Sequence, residues 1–205
     1  MFITFEGPDG AGKSTHIREV KAFLERRGRE VILTREPGGT PLSEEIRRLL
    51  LSKGEDPMDD KAELLLYLAS RAQHVTQVIL PALAAGKDVI CDRFSDSSFA
   101  YQGYGRGIDL DFLKRVNAWA CQDLVPDYTF LMLLPPEDSE ARLTQQGREL
   151  DRMELQGLDF KTRVFQGFLA CASDRPGRVL TLDANDTVER NRDRILEALR
   201  AWLDS

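Results

Sequence analysis

The sequence predicts an α/β fold: five short strands in one parallel sheet, helices on both faces, and a short lid segment. Three observations predict it. Short apolar runs alternate along the chain with stretches whose apolar residues recur at helical spacing, and strands buried on both faces carry such runs. Strands separated by helices pair in parallel through right-handed crossovers. The first strand also enters the first helix through a glycine-rich octapeptide, Gly7-Pro8-Asp9-Gly10-Ala11-Gly12-Lys13-Ser14, of the form G-x-x-x-x-G-K-[ST].

In chain order, residues 1–6 (MFITFE) read as a buried strand, and Ile17, Val20, Phe23 and Leu24 form the stripe of a helix that Gly28 ends. Residues 30–34 (EVILT) are the second strand. Thr40 suits an N-cap, and Pro41 opens a helix through Ile46, Leu49 and Leu50 to Gly54. Residues 60–85 are helical in pattern, but Pro81 breaks the backbone ladder, so two segments should meet near Ile79. Gly86 ends the second, residues 88–91 (DVIC) form the third strand, and the SDSSFAYQG stretch reads as a loop. Phe112, Val116, Trp119 and Ala120 form the core face of a helix over 111–121. Residues 128–134 (YTFLMLL) are the fourth strand, and a short helix with a proline and acids at its start covers about 136–144. Residues 145–152 lack apolar periodicity. A helix over 154–172, a fifth strand over 179–182 and a closing helix over 188–203 complete the chain. Neither a repeat nor a linker interrupts it, so 1–205 read as one domain with a lid at about 143–153.

With 205 residues, 42% of them apolar and 30% charged, the chain has the composition of a soluble globular domain. Cys91, Cys121 and Cys171 are odd in number and far apart, which argues for reduced thiols rather than a disulfide framework or a zinc site. A net charge of −6 argues against nucleic acid as a partner. No apolar stretch is long enough for a membrane helix, and the expectation is a cytoplasmic protein without a membrane partner.

The octapeptide carries the first chemistry. At a helix N-terminus, unpaired backbone N–H groups and the positive end of the helix dipole face one point, which suits a polyphosphate. This is the phosphate loop of the P-loop NTPases, whose layers are the predicted αβα sandwich. Gly7 to Ser14, with Thr15, would hold ATP. Lys13 would reach its β- and γ-phosphates, and the Ser14 hydroxyl would bind Mg²⁺, a hard cation that prefers oxygen ligands. In parallel sheets ligands bind beyond the strands' C-terminal ends. Asp9, Arg35, Glu36, Asp92 and Arg93 all fall on that rim.

Five segments in order, FEGPDGAGKST, TREPGGTPLSEEIR, LLLYLASRAQH, DRFSDSSFAYQG and ELDRME, resemble the signature segments of the bacterial thymidylate kinase family over essentially the whole chain. The resemblance implies a homodimeric nucleoside monophosphate kinase that moves the γ-phosphoryl group of MgATP to dTMP, giving dTDP and ADP. It implies that Asp9 meets the deoxyribose 3′-hydroxyl, that Arg93 and Arg35 clamp phosphate, and that Asp92 helps to orient the metal. Tyr67 would stack on thymine and Arg71 donate to its O4, the two lying four apart on one helical face. Read without the resemblance, Tyr67 among its leucine neighbours is a core residue and Asp92-Arg93 a structural ion pair. Ser98, Tyr101 and Gln102 match positions that contact base and sugar, and Tyr101 packing against C2′ would disfavour ribonucleotides.

Phosphoryl transfer needs cations more than covalent chemistry. The phosphate loop contains no arginine, so the resemblance directs the catalytic one to the lid: Arg148, with Arg152 as second candidate, beside Lys13 and Arg93. Glu154 is a further lid or water-mediated metal contact. His74 is expected to pack or hydrogen-bond locally, and the loop at 183–186 to face adenine. A GTP- or ATP-driven switch would also use the octapeptide, but there is no N-K-x-D segment.

Overall fold

The structure is a computed structural model, and it describes residues 1–54, 57–145, 147, 149–174 and 177–204. Its strands are β1 Phe2–Glu6, β2 Val31–Arg35, β3 Asp88–Asp92, β4 Tyr128–Leu133 and β5 Val179–Asp183. They form one sheet in the order β2-β3-β1-β4-β5, and every neighbouring pair is parallel. The helices are α1 Lys13–Glu25, α2 Pro41–Leu51, α3 Asp60–His74, α4 Leu80–Ala84, α5 Ser95–Ser98, α6 Leu110–Ala120, α7 Pro136–Gln145, α8 Leu158–Ser173 and α9 Val188–Leu203. Wider π-helical turns join α3 to α4 at Val75–Ile79 and continue α5 at Phe99–Gly105.

The two-residue alternation of the strands sorts the core. Ile3, Phe5, Ile90, Phe130, Met132 and Leu182 point to one face, where Val20, Leu24, Ile195 and Leu199 of α1 and α9 cover them. Phe2, Val89 and Cys91 point to the other and meet Val75 and Ile79, while Leu131 meets Phe160, Val164 and Phe168 of α8. Trp202 closes the first face by stacking on Tyr128, with ring centroids 3.8 Å apart. Among the described residues, no helix is long and apolar enough to cross a membrane.

Several local expectations are met for the expected reasons. Thr40 caps α2 by accepting from the Ser43 N–H at 3.1 Å, with Pro41 behind it. The break near Ile79 is present: the chain widens to π geometry and restarts with Pro81 in the first turn of α4, where its missing N–H has no ladder partner to lose.

Three boundaries differ. The helix expected from 154 begins at Leu158, because Asp151 Oδ1 accepts from the N–H groups of Met153 and Glu154 and holds those residues in a turn. The helix opened by Pro41 ends at Leu51, before Gly54. The stretch read as a loop, with Ser98, Tyr101 and Gln102, is helical. Its start is held by the Glu6 carboxylate, which accepts from Phe94 N–H at 2.8 Å and Ser97 Oγ–H at 2.5 Å. A helix on that site needs a close crossing with α8. A Cβ on Gly105 would lie 2.7 Å from the Phe160 ring, and one on Gly167 would lie 2.7 Å from Ala100 Cα, so small residues permit the approach.

Candidate active site

The C-terminal ends of β1, β2 and β3 supply Glu6, Arg35 and Asp92, and the chain reaches two adjoining chambers there. The first, with about 400 Å³ of open room, is built on the phosphate loop. Gly7 has φ 126°, and a Cβ there would sit 2.1 Å from the Met132 carbonyl oxygen, so only glycine lets the loop leave β1 against β4. Gly12, with φ 84°, turns the chain into α1. That helix has no side-chain cap and no acid in its first turn, which leaves its N-terminal N–H groups for an anion.

Lys13 donates to the carbonyl oxygens of Gly7 at 3.0 Å and Pro8 at 2.9 Å. Burial, then the nearby Arg93 charge, push its amine below the ordinary lysine range. Ser14, Thr15, Arg35 and Asp92 line the same chamber. Arg35 is half exposed and donates to both carboxylate oxygens of Glu44, at 3.0 and 3.2 Å. Asp92 Oδ1 is buried with no hydrogen-bond partner among the described residues.

The second chamber, about 70 Å³, opens behind the first and brings Asp9, Tyr67, Arg71, Arg93, Ser98, Tyr101 and Gln102 together. Asp9 and Arg93 border both chambers and form the wall between them. Arg93 Nη2 donates to Asp9 Oδ1 at 2.9 Å, and the guanidinium lies 5.3 Å from the Tyr101 ring centroid. Burial opposes charge on Arg93, but Asp9, Tyr101 and Asp92 outweigh it and hold its pKa well above the ordinary value. Its backbone sits at φ 70°, a left-handed conformation costly for a side chain with a Cβ, and its N–H donates to Phe5 O at 2.9 Å.

Arg71 is 2% exposed. Its Nε donates to Glu36 Oε2 at 2.7 Å, Nη1 to Ser98 Oγ at 2.9 Å and to Asn117 Oδ1, and Nη2 to Phe94 O at 3.0 Å. Glu36 Oε1 in turn meets His74 Nδ1 at 2.9 Å, and His74 Nε2 meets Thr34 Oγ1 at 2.6 Å. The local hydrogen bonding expected of His74 is therefore a buried buttress for Arg71. Tyr67 and Tyr101 have phenols raised far above the ordinary range, mainly by burial, and both stay neutral.

Of the lid residues, Arg148 lies outside the described residues. Arg152 lines neither chamber: its Nη1 pairs with Glu63 at 2.7 Å and its Nε donates to Leu50 O at 2.8 Å. The Glu154 carboxylate accepts from Asp151 N–H at 2.9 Å, within the turn. Arg142, on α7, fastens the phosphate loop to the loop after β5 by donating to Gly10 O and Ala184 O. Sequence reasoning did not single out Arg47, which borders both chambers, or Glu36 as the anchor of Arg71. Arg47 closes the TREPGGTPLSEEIR segment, but in an amphipathic helix an arginine reads as solvated.

Comparison with known proteins fits this geometry. Residues 5–195 match the family described as thymidylate kinase. The thymidylate kinase of Chlorobaculum tepidum is 52% identical over 192 residues, covering 90% of this chain and 89% of that protein. That of Gloeobacter violaceus is 46% identical and covers 100% of this chain and 96% of its own. A solved structure of thymidylate kinase from Ehrlichia chaffeensis superposes with a TM-score of 0.80 at 35% identity, covering 97% of this chain and 98% of that one.

Proposed function

The chain belongs to the thymidylate kinase family and is an ATP:dTMP phosphotransferase, and from that premise we propose how its residues divide the work. The loop chamber takes the ATP polyphosphate, with Gly7 to Thr15 wrapping it and Lys13 leaving the Gly7 and Pro8 carbonyls to meet the transferring phosphoryl group. The inner chamber takes dTMP. The observation that carries this reading is the shared Asp9–Arg93 wall, which puts a carboxylate and a partly buried guanidinium where two phosphorylated substrates would meet.

Arg93 and Arg35 then hold the acceptor phosphate, Arg93 by a fork already aimed by Asp9 and Arg35 after release from Glu44. Asp9 accepts from the 3′-hydroxyl, Tyr67 stacks on the base, and Arg71 donates to it. Tyr101, held beside Arg93, packs against C2′. Mg²⁺, when bound with ATP, would supply positive charge against the phosphate oxygens. Ser14 and Asp92 are the residues that would hold it, and the unpartnered, buried Asp92 Oδ1 fits the oxygen donor such a cation needs.

The lid at about 143–153, within one domain of 1–205, supplies the last cation. Arg148 is preferred over Arg152, because Arg152 lines neither chamber and its Nη1 and Nε are held by Glu63 and Leu50 O. Closure would exclude water from the transferring group. If Arg148→Ala transfers phosphate at the parental single-turnover rate, the assignment is wrong. The division of labour is tested with MgATP and a panel of dTMP, dUMP, UMP, AMP and thymidine. ADP formation should be fastest with dTMP, and Arg93→Met should raise KM for dTMP far more than for ATP. Equal changes in the two KM values would overturn the proposed wall.

A homodimer is supported by an apolar face that the fold leaves bare. Leu42 and Leu49 on α2, Leu65 on α3, and Phe112 and Trp119 on α6 are exposed, Trp119 by 82%, on helices that pack side by side. The core face expected of Phe112 and Trp119 is instead carried by Leu113, Asn117 and Ala120. Sedimentation should show a dimer that Trp119→Glu dissociates. A parental monomer would overturn it.

A further inference from the structure

Beside the inner chamber, behind Gln102 and not among the residues that line it, lies a carboxylate that orients one of the chamber's polar groups. Glu63, in the first turn of α3, is fully buried. Its Oε1 accepts from Gln102 Nε2 at 2.9 Å and Arg106 Nε at 3.2 Å. Its Oε2 accepts from Arg106 Nη2 at 2.9 Å and Arg152 Nη1 at 2.7 Å. Two lone pairs on each oxygen are thus taken. Burial alone would raise its pKa, but the hydrogen bonds from Arg106, Gln102 and Arg152 outweigh that and lower it. Glu63 is an anion that accepts and cannot donate.

That settles the sense of the Gln102 amide. A glutamine side chain has one donor end and one acceptor end, and only its NH₂ can face a saturated carboxylate. Gln102 is 2% exposed and lines the inner chamber. Its Oε1 has no hydrogen-bond partner among the described residues. On the other side, Arg71 has five N–H donors, of which Glu36, Ser98, Asn117 and Phe94 engage four. One Nη2 hydrogen remains. The chamber therefore offers one donor and one acceptor, each held in orientation by its other hydrogen-bond partners.

We propose that Glu63 is a specificity-determining positioning residue: by fixing the Gln102 amide with its oxygen toward the chamber, it selects a base whose edge presents a ring N–H beside a carbonyl. Thymine and uracil carry that pair. Cytosine carries the reverse, a bare ring nitrogen beside an amino group, which would leave the Gln102 oxygen and the Arg71 N–H facing like partners. A site built to hydrogen-bond one pattern rejects the other because its own buried groups are left unpaired. The inference rests on the placement of dTMP in the inner chamber.

The test is kcat/KM for dTMP and dCMP in the parent, Glu63→Gln, Gln102→Leu and the double variant. The parent should prefer dTMP. Each single variant should lower that preference at least about tenfold, and the double variant should lower it no further than Gln102→Leu, because two residues acting through one amide are not additive. An unchanged preference in Glu63→Gln, or effects that multiply in the double variant, would overturn the role of Glu63. A parent that does not phosphorylate dTMP would instead remove the placement on which it rests. Should Glu63→Gln fail to fold, the parent decides. 3-Methyl-dTMP, which lacks the ring N–H, should bind at least about tenfold more weakly than dTMP, and one Gln102 amide proton should exchange slowly by NMR. Equal binding, or two rapidly exchanging protons, would overturn the proposal.

Discussion

The two chambers are made in different ways. The loop chamber is broad and built chiefly on one contiguous stretch, 9–15, which offers backbone N–H donors at the start of α1, with Arg35, Glu36, Arg47, Asp92 and Arg93 around it. The inner chamber is narrow and built from side chains on α2, α3, α5 and the π-helical turn after it, with Asp9, Glu36 and Arg93 from the strand ends, and is held by buried bonds such as Arg71 to Glu36, Ser98 and Asn117. Backbone donors cost the fold little, since helix N-termini leave them unpaired anyway. A buried arginine with a buried carboxylate must be fully paired to be tolerated. Changes in the inner chamber should therefore cost stability as well as activity, whereas changes in the loop chamber should cost rate alone.

The strongest break in that contrast is Arg71→Met. It leaves the Glu36 carboxylate, 4% exposed, with only His74 as a side-chain partner among the described residues. Removing one partner of a buried pair costs about 3–5 kcal/mol. Urea unfolding should show a loss of that order, and a parental midpoint would refute the buried-network account.

Next in size is Lys13→Met. Losing one preorganised donor to transition-state charge costs about 10²–10³-fold in kcat. Because Lys13 is a buried charge whose hydrogen bonds among the described residues go to two loop carbonyls, and burial outweighs the attraction of Asp92, Asp9 and Glu6, the unfolding midpoint should stay close to the parent's or rise. If stability fell as far as in Arg71→Met, the two chambers would not differ in the way proposed.

The same difference explains what could be read from the sequence. Gly7 to Ser14 was legible because its function is encoded in consecutive residues, and the strand, turn and helix around it follow from local pattern. Arg71 and Tyr67 were legible as one helical face, and then only through resemblance. Arg71's anchors were not, since Glu36, Ser98 and Asn117 lie 35, 27 and 46 residues away and no local rule joins them. Nothing in the sequence singles out Glu63: an acid in a helix first turn is favourable for the dipole, which conceals its saturation by two arginines and a glutamine. The stretch after Arg93 misled for a related reason: its serines and glycines read as a loop, and only a carboxylate from β1 and a close crossing with α8 make it helical.

That carboxylate gives the last and smallest effect, at the turn both chambers share. Glu6 accepts from Phe94 N–H and Ser97 Oγ–H and so holds the residues just after the left-handed Arg93. Burial, then repulsion from Asp96, raise its pKa from 4.5 to about 7, against the opposing pull of Ser97, Arg93 and the Phe94 N–H. A carboxyl with a raised pKa in the fold binds its proton more tightly there than in the unfolded chain. Its contribution to stability is therefore complete below about pH 4.5 and is lost as pH rises through about 7. At 1.36 kcal/mol per tenfold, that loss is at most about 3 kcal/mol. Glu6→Gln keeps an oxygen for one of the two donors and cannot ionise, so its stability should lack this decline. Urea midpoints of parent and variant, compared at about pH 5 and about pH 8, should converge or cross as pH rises. Parallel midpoints would mean that Glu6 carries no such titration, and that the Arg93 turn is held by the Phe5 carbonyl and Asp9 without it.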